Sequence, residues 1–247
     1  MRRLFLAEPI AGQMTISGSD AHHLLHVMRA KIGDKLVVVG SDSRVAEAEI
    51  VSILADSAQV KFLQELENTT DSPVEIILAQ CLPKAAKMEF IVQKAVELGA
   101  SMVVPLKSQN CVVRYDEGKA ASKQAKWQKV ADEAAKQCGR TRRLQVEAVK
   151  TLSDFAAWAS DADIKVLFCY EEEDSCTIGQ ALSAAGECTG YGVLIGPEGG
   201  FTPEEAAMIK AKGGQAVTLG PRILRAETAA LAALAVVQYE KGDLGNR

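Results

Sequence analysis

The chain has 247 residues, 48% of them hydrophobic and 24% charged, which excludes disordered and collagen-like classes and leaves room for at most two compact units. Its formal net charge of -4 excludes an evenly basic protein that coats nucleic acid, since phosphates call for positive surface, so any such role must rest on a local patch. No apolar run reaches the roughly 18 residues of a membrane span, and the opening Met1-Arg2-Arg3-Leu4-Phe5-Leu6 turns polar at Glu8 before a signal-peptide core develops, so a cytoplasmic protein with no membrane partner is expected.

In chain order, Arg2 to Ala7, Gln13 to Ser17, Lys35 to Gly40, Val45 to Leu54 and Gln59 to Leu66 are β-prone, and Ala46 to Val51 partly alternates. Such spacing suits a small β-barrel. Between the second and third strands, Ser19-Asp20 can cap a helix that carries Leu24, Leu25, Val27 and Met28 and ends at Ile32-Gly33-Asp34. His22, His23 and His26 are the only histidines. The first and last stand at i and i+4, a spacing that can bind metal, but no H-E-x-x-H and no nearby cysteine supports one. The six cysteines are scattered with no C-x-x-C, so free thiols and no metal are expected.

The polar stretch Glu67 to Ser72 closes on Pro73, which disfavours helix before it, and places a boundary between a unit of residues 1–70 and one of residues 73–247. Beyond it, strands and helices alternate in an α/β pattern. Val74 to Cys81 reads as a buried strand, Lys87 to Leu98 as a helix stopped by Gly99, and Ser101 to Leu106 as a strand. A helix from Glu117 to Gln137, a short strand near Leu144 to Val149, a helix from Ser153 and the apolar strand Ile164 to Tyr170 follow. The strands Gly192 to Ile195 and Ala216 to Leu219, the helix opened by Thr202-Pro203 and a last helix from Glu227 to Glu240 complete the pattern.

From Lys119 to Arg143, eight basic residues are opposed only by Asp132 and Glu133, and Lys119, Lys123, Lys126 and Lys129 share one helix face. Two readings stand: a solvated helix face, or a stripe for an RNA backbone. In the last helix, Ala229 to Val237 is apolar nearly all round, so either the core of one chain or a second subunit must cover it.

The most informative segment is Val193-Leu194-Ile195-Gly196-Pro197-Glu198-Gly199-Gly200-Phe201-Thr202-Pro203-Glu204-Glu205. A buried strand enters a turn with three glycines and then a helix with Thr202 as N-cap, Pro203 at its first position and Glu205 completing a capping box. The loop therefore sits at a strand's carboxyl end, where α/β sheets bind ligands and glycines let backbone groups approach closely. Ala216 to Leu219 leads likewise into Gly220-Pro221-Arg222-Ile223-Leu224-Arg225. The two loops could hold one flat ligand, with Leu219, Ile223 and Leu224 as apolar walls. Arg222 and Arg225 need either an anionic ligand or an ion pair with Glu198 or Glu227. Neither a G-x-x-x-x-G-K-[ST] nor a G-x-G-x-x-G phosphate motif occurs.

The paired segments Leu194-Ile195-Gly196-Pro197-Glu198-Gly199-Gly200-Phe201 and Leu219-Gly220-Pro221-Arg222-Ile223-Leu224-Arg225-Ala226-Glu227-Thr228-Ala229 resemble the signature of the RsmE family, a branch of the SPOUT methyltransferases. The likeness spans almost the whole chain. Leu82-Pro83-Lys84 with Lys87-Met88-Glu89 and Lys94 to Gly99 is similar to the first helix of that catalytic domain, and Ala134 to Arg140 to its basic central segment. His22-His23-Leu24, Val27-Met28-Arg29 and Gly33-Asp34 are similar to the family's PUA-like RNA-binding domain, with Met28 where leucine is commoner.

The resemblance implies an N-terminal PUA-like β-barrel and a C-terminal trefoil-knotted α/β domain, paired as a homodimer. It also implies S-adenosylmethionine-dependent methylation at N3 of one uridine (m3U1498) of the 16S ribosomal RNA in the small ribosomal subunit. The cofactor would be held by loops matching Ile195 to Gly200 and Leu219 to Leu224, with the strand through Leu167 as a further wall. Arg225 is expected to stabilise the uracil anion, with Glu198 and Glu227 as candidate bases or as carboxylates that orient an arginine. Arg2, Arg3, Arg29, Arg140, Arg142 and Arg143 are the expected RNA contacts. The rival functions are another SPOUT methyltransferase, acting on a different base or on ribose, and a nonenzymatic RNA-binding assembly factor.

Overall fold

The computed structural model describes residues 3–67, 70–84 and 87–245, apart from the side chain of Ser19. Contacts divide the chain into two units, 1–71 with 135–143, and 72–134 with 144–247. No helix among the described residues is long and apolar enough to cross a membrane.

The first unit is a curled five-stranded sheet built from β1 (Arg3–Phe5), β2 (Gln13–Ser17), β3 (Lys35–Val39), β4 (Val45–Ile53) and β5 (Ser57–Leu66), in the order β1-β3-β4-β5-β2. Only β1 and β3 run parallel. Alternation along β2 and β4 sends Met14, Ile16, Ala46, Ala48 and Ile50 into one core with Leu4, Leu24, Leu36, Val38 and Val60. Two register shifts in the β4/β5 pair bend the sheet. The expected helix is α1 (Gly18–His22), continued by one π turn over His23–Val27. It begins one residue before Ser19, at Gly18, whose φ of +64° suits glycine.

Residues 135–143 are held to this unit by carboxylates. Lys136 Nζ lies 2.5 Å from Asp20 Oδ1, Arg140 Nε donates to Asp71 Oδ1 at 3.2 Å, and the Thr141 hydroxyl and the Arg142 N–H also donate to Asp71.

The second unit contains β6 (Glu75–Cys81), α2 (Lys87–Glu97), β7 (Met102–Lys107), most of α3 (Glu117–Cys138), β8 (Gln145–Val146) and β9 (Lys150–Thr151). Then come α4 (Leu152–Asp161), β10 (Ile164–Cys169), α5 (Ile178–Ala184), β11 (Gly190–Ile195), α6 (Pro203–Ala211), β12 (Gln215–Val217) and α7 (Ala226–Lys241). Its strands are all parallel, in the order β12-β10-β11-β6-β7-β8, with β9 also on β7. β6 and β11 are buried along nearly their whole length, as strands covered on both faces must be. α7 packs on β6, β11, α2 and α5, while α4 packs on β7, β10 and α6.

Sequence reasoning missed β9 and α5. The second had a readable signal: Thr177 and Gln180 form a capping box, the Thr177 Oγ1 accepting from the Gln180 N–H at 3.2 Å. The last helix is also less enclosed than its composition implies. Leu234 and Val237 are fully buried, whereas Leu231, Ala232, Ala235 and Val236 are half-buried on the opposite side, so one apolar face is left partly open.

Candidate functional site

The carboxyl ends of β10, β11 and β12 open into a cavity of about 790 Å³, the edge at which parallel sheets place ligands. Three segments wall it: residues 169–177 after β10, 195–201 after β11 and 217–226 around the end of β12. The two glycine-proline loops do face one space. Ile195, Gly196, Pro197, Glu198 and Gly200 line it from one side, and Leu219, Gly220, Arg222, Ile223, Leu224 and Arg225 from the other.

The first loop is rigid for local reasons. Thr202 Oγ1 accepts from the Glu205 N–H at 3.2 Å, and Glu205 Oε2 in turn accepts from the Thr202 N–H at 3.0 Å, the expected capping box. The other Glu205 oxygen accepts from the Gln109 N–H at 2.7 Å. Asn110 Nδ2 donates to the carbonyls of Gly199 and Gly200 at 2.9 and 3.2 Å. Gly200 sits at φ +67° and Gly220 at φ +105°, conformations that glycine takes without strain.

Two expected contributors lie elsewhere. Gly199 faces Asn110 and does not line the cavity; a Cβ added there would come within 3.0 Å of the Asn110 Cβ. Leu167 is fully buried within β10, short of the strand's end, and the wall on that side is made by Cys169 and Tyr170. Glu171, Glu173 and Asp174 also line the cavity. They follow a strand of ordinary composition, so no motif pointed to them.

Of the two readings for the loop arginines, an anionic ligand or an ion pair with Glu198 or Glu227, the structure does not hold the second. Glu198 and Glu227 do not pair with the loop arginines; both pair with Lys87, the first residue of α2, whose Nζ lies 3.0 Å from Glu198 Oε1 and 3.2 Å from Glu227 Oε2. Glu198 Oε1 also accepts from the Lys84 N–H at 3.1 Å. Burial pushes the Glu198 carboxyl up, but the Lys87 ammonium and backbone N–H groups outweigh it and hold the group below the usual carboxylate range. Burial likewise raises Glu227, and its own backbone N–H, Lys87 and the nearby Arg225 charge bring it down. Carboxylates held low are poor proton acceptors, which counts against a general-base role for either. Among the described residues, Arg222 and Arg225 are exposed with no hydrogen-bond or ion-pair partner, and the side chain of Ile223 beside them is 89% exposed.

Of the arginines expected on RNA, Arg29, Arg142 and Arg143 are exposed, and the Arg143 guanidinium lies 4.9 Å from the centre of the Phe5 ring. Arg3 is half-buried and donates to Thr70 at 3.1 Å. Arg2 lies outside the described residues. Arg140 corrects the expectation: it is only 4% exposed and bound to Asp71, so its charge serves the interior of its own unit. The four-lysine face of α3 is mostly exposed, with Lys126 2.6 Å from Glu89. The His22 and His26 ring centres lie 4.7 Å apart with the rings tilted by 46°, and no group of three or more potential metal ligands occurs among the described residues.

The RNA methyltransferase domain family matches residues 70–238, and the RNA methyltransferase PUA domain family matches residues 16–63. Ribosomal RNA small subunit methyltransferase E of Bacillus subtilis is 33% identical over 234 residues, covering 93% of this chain and 91% of that one. Its namesake in Synechocystis is 30% identical over 228 residues, covering 92% and 73%. The crystal structure of a ribosomal RNA small subunit methyltransferase E from Neisseria gonorrhoeae bound to S-adenosyl methionine matches with a TM-score of 0.83 at 31% identity, covering 98% of this chain and 99% of that one. With both halves matched in the expected order, and relatives alike over nearly the full length, the chain belongs to the ribosomal RNA small subunit methyltransferase E family, the one its glycine-proline loops resemble.

Proposed function

We propose that the chain transfers the methyl group of S-adenosylmethionine to N3 of one uridine in the 16S ribosomal RNA, acting on the small ribosomal subunit in the cytoplasm as a homodimer. The observation that carries this reading is the cavity between the 195–201 and 217–226 segments, with backbone and apolar walls for a cofactor and Arg225 at its edge. The Neisseria relative, bound to S-adenosyl methionine, supports the choice of cofactor.

Methyl transfer needs the N3 lone pair in line with the S–CH3 bond, so holding both partners supplies much of the rate. The N3–H proton must also leave. With Glu198 and Glu227 held ionised by Lys87, the unpaired Arg225 guanidinium is the group that favours the uracil anion, by facing the negative charge on its carbonyl oxygens. Arg222, earlier in the loop, faces the cofactor or the RNA backbone. On the RNA side, Arg29, Arg142 and Arg143 offer exposed charge, and Arg3 is half-buried. The half-open face of α7 supports the second subunit, because Leu231, Ala235 and Tyr239 follow one helical line.

Incubating the purified protein with labelled cofactor and small subunits from cells lacking it should place one methyl group per subunit, recovered as 3-methyluridine by mass spectrometry of nuclease digests. Label on ribose or on another base would replace this reading with a different methyl transfer. RNA binding with no label would leave an assembly factor.

A further inference from the structure

The geometry points to Lys87 as a positioning residue for the methyl transfer, its ammonium clamping Glu198 of the 196–200 loop to Glu227 of α7 so that two walls of the cavity stay together. This rests on the cavity being the methyl-donor site. Lys87 itself lines the cavity and is the one side chain in contact with both carboxylates among the described residues.

Neither carboxylate is an ordinary surface partner. Glu227 Oε2 is buried and has no hydrogen bond among the described residues, so the ion pair at 3.2 Å is its compensation for lost water. Glu198 Oε1, 3.0 Å from the same nitrogen, must lie within about 6 Å of it, where two like charges raise each other's proton affinity. Yet both are held low, and Lys87 is a cause common to them. Removing the ammonium would leave Glu227, with its buried Oε2, only its own backbone N–H and the through-space charge of Arg225 beside a second carboxylate, an arrangement that favours taking up a proton.

Other charged groups near the pair do not replace Lys87. Arg225 acts on Glu227 only through space, and Lys84 reaches Glu198 through its backbone N–H. Of the elements packed on α7, α2 has its other charged groups paired elsewhere, Glu89 with Lys126 and Lys94 with Glu97, α5 has no titratable side chain, and Glu75 of β6 and Tyr191 of β11 stand at the far, amino ends of their strands. Cys81, at the near end of β6, has its thiol pushed up by burial and stays neutral.

The consequence is a pH dependence that a purely structural residue would not confer. In Lys87→Met, both carboxylates are charged at high pH and push the walls apart; as the pH falls, one proton takes the ammonium's place and the pair closes on a shared hydrogen bond. The single-turnover rate of Lys87→Met, divided by the wild-type rate at each pH to cancel the uridine's own ionisation, should be about tenfold or more below one at pH 9 and recover towards pH 6. Lys87→Arg, which keeps the cation, should stay near one throughout. Carbon-13 NMR of labelled glutamates, assigned with Glu198→Gln and Glu227→Gln, should show one carboxyl titrating above the ordinary range in Lys87→Met and neither in the wild type. A ratio that is low but equal at every pH, a ratio near one, or carboxyl titrations unchanged by the substitution would overturn the role. The NMR arm needs no activity, so an inactive wild type would refute the methyl-transfer reading and leave the clamp to be judged separately.

Discussion

Arg222 and Arg225 stand three residues apart in the same loop, both exposed and both without a partner among the described residues, yet they are placed for different work. Arg225 is the N-cap residue of α7, held where a buried helix begins. Arg222 lies within the turn itself, beside the exposed Ile223. Arg225→Ala is expected to lower the single-turnover rate about 100- to 1000-fold, as loss of a preorganised donor does, with less effect on cofactor affinity. Arg222→Ala should instead raise a dissociation constant and leave the rate closer to normal. A near-normal rate for Arg225→Ala at saturating cofactor and RNA would place the cation elsewhere. Glu198 allows a second test, through stability. Its folded-state proton affinity is depressed below the unfolded value of about 4.3, so its contribution is present above that pH and is lost as the pH falls through the lower, folded value. The stability gap between wild type and Glu198→Gln should be widest near neutrality and close on acidification, as followed by urea denaturation; a gap unchanged between neutral and strongly acid pH would show that the ion pair contributes nothing.

Among the elements, α7 separates two kinds of leucine. Leu234 is fully buried against the sheet, so Leu234→Ala should cost about 2–5 kcal/mol of stability whatever the oligomeric state. Leu231 lies on the half-open face, so Leu231→Glu should leave the fold intact and split the proposed dimer, which light scattering would reveal. Wild-type protein that stays monomeric at high concentration would remove the dimer. The composition of α7 announced its burial but not which face the single chain covers, because that depends on where α2 and α5 dock. The glycine-proline loops were legible since their cause is local: Thr202, Pro203 and Glu205 fix a helix start within four residues of sequence. Lys87 was not. It meets Glu198 and Glu227 across more than a hundred residues of chain, and a lysine beginning a helix carries no sign of distant partners. Arg140 shows the same limit in reverse: in a basic run it reads as surface charge, while Asp71 draws it inward.

At the scale of the whole molecule, an acidic protein that binds RNA must concentrate its positive charge. With Arg140 committed to Asp71, Arg142 and Arg143 remain as the exposed positive charge of the 135–143 segment. The Arg142→Ala, Arg143→Ala double variant should weaken RNA binding and lower the salt slope by about one unit for each phosphate that is no longer neutralised. An unchanged slope would take this segment out of the interface. Arg140→Ala should lower stability more than it changes the slope.

That segment has another consequence, for the order in which the protein is made. The first 71 residues contain every strand of the N-terminal sheet, but the groups that satisfy Asp71 and Asp20 arrive with Lys136, Arg140, Thr141 and Arg142. During synthesis the sheet can form early while two of its carboxylates wait, solvated, for chain that emerges only after β6, α2, β7 and most of α3. The N-terminal unit is thus begun first and closed late, and a nascent chain halted before residue 135 should present it in an unfinished, more easily digested form.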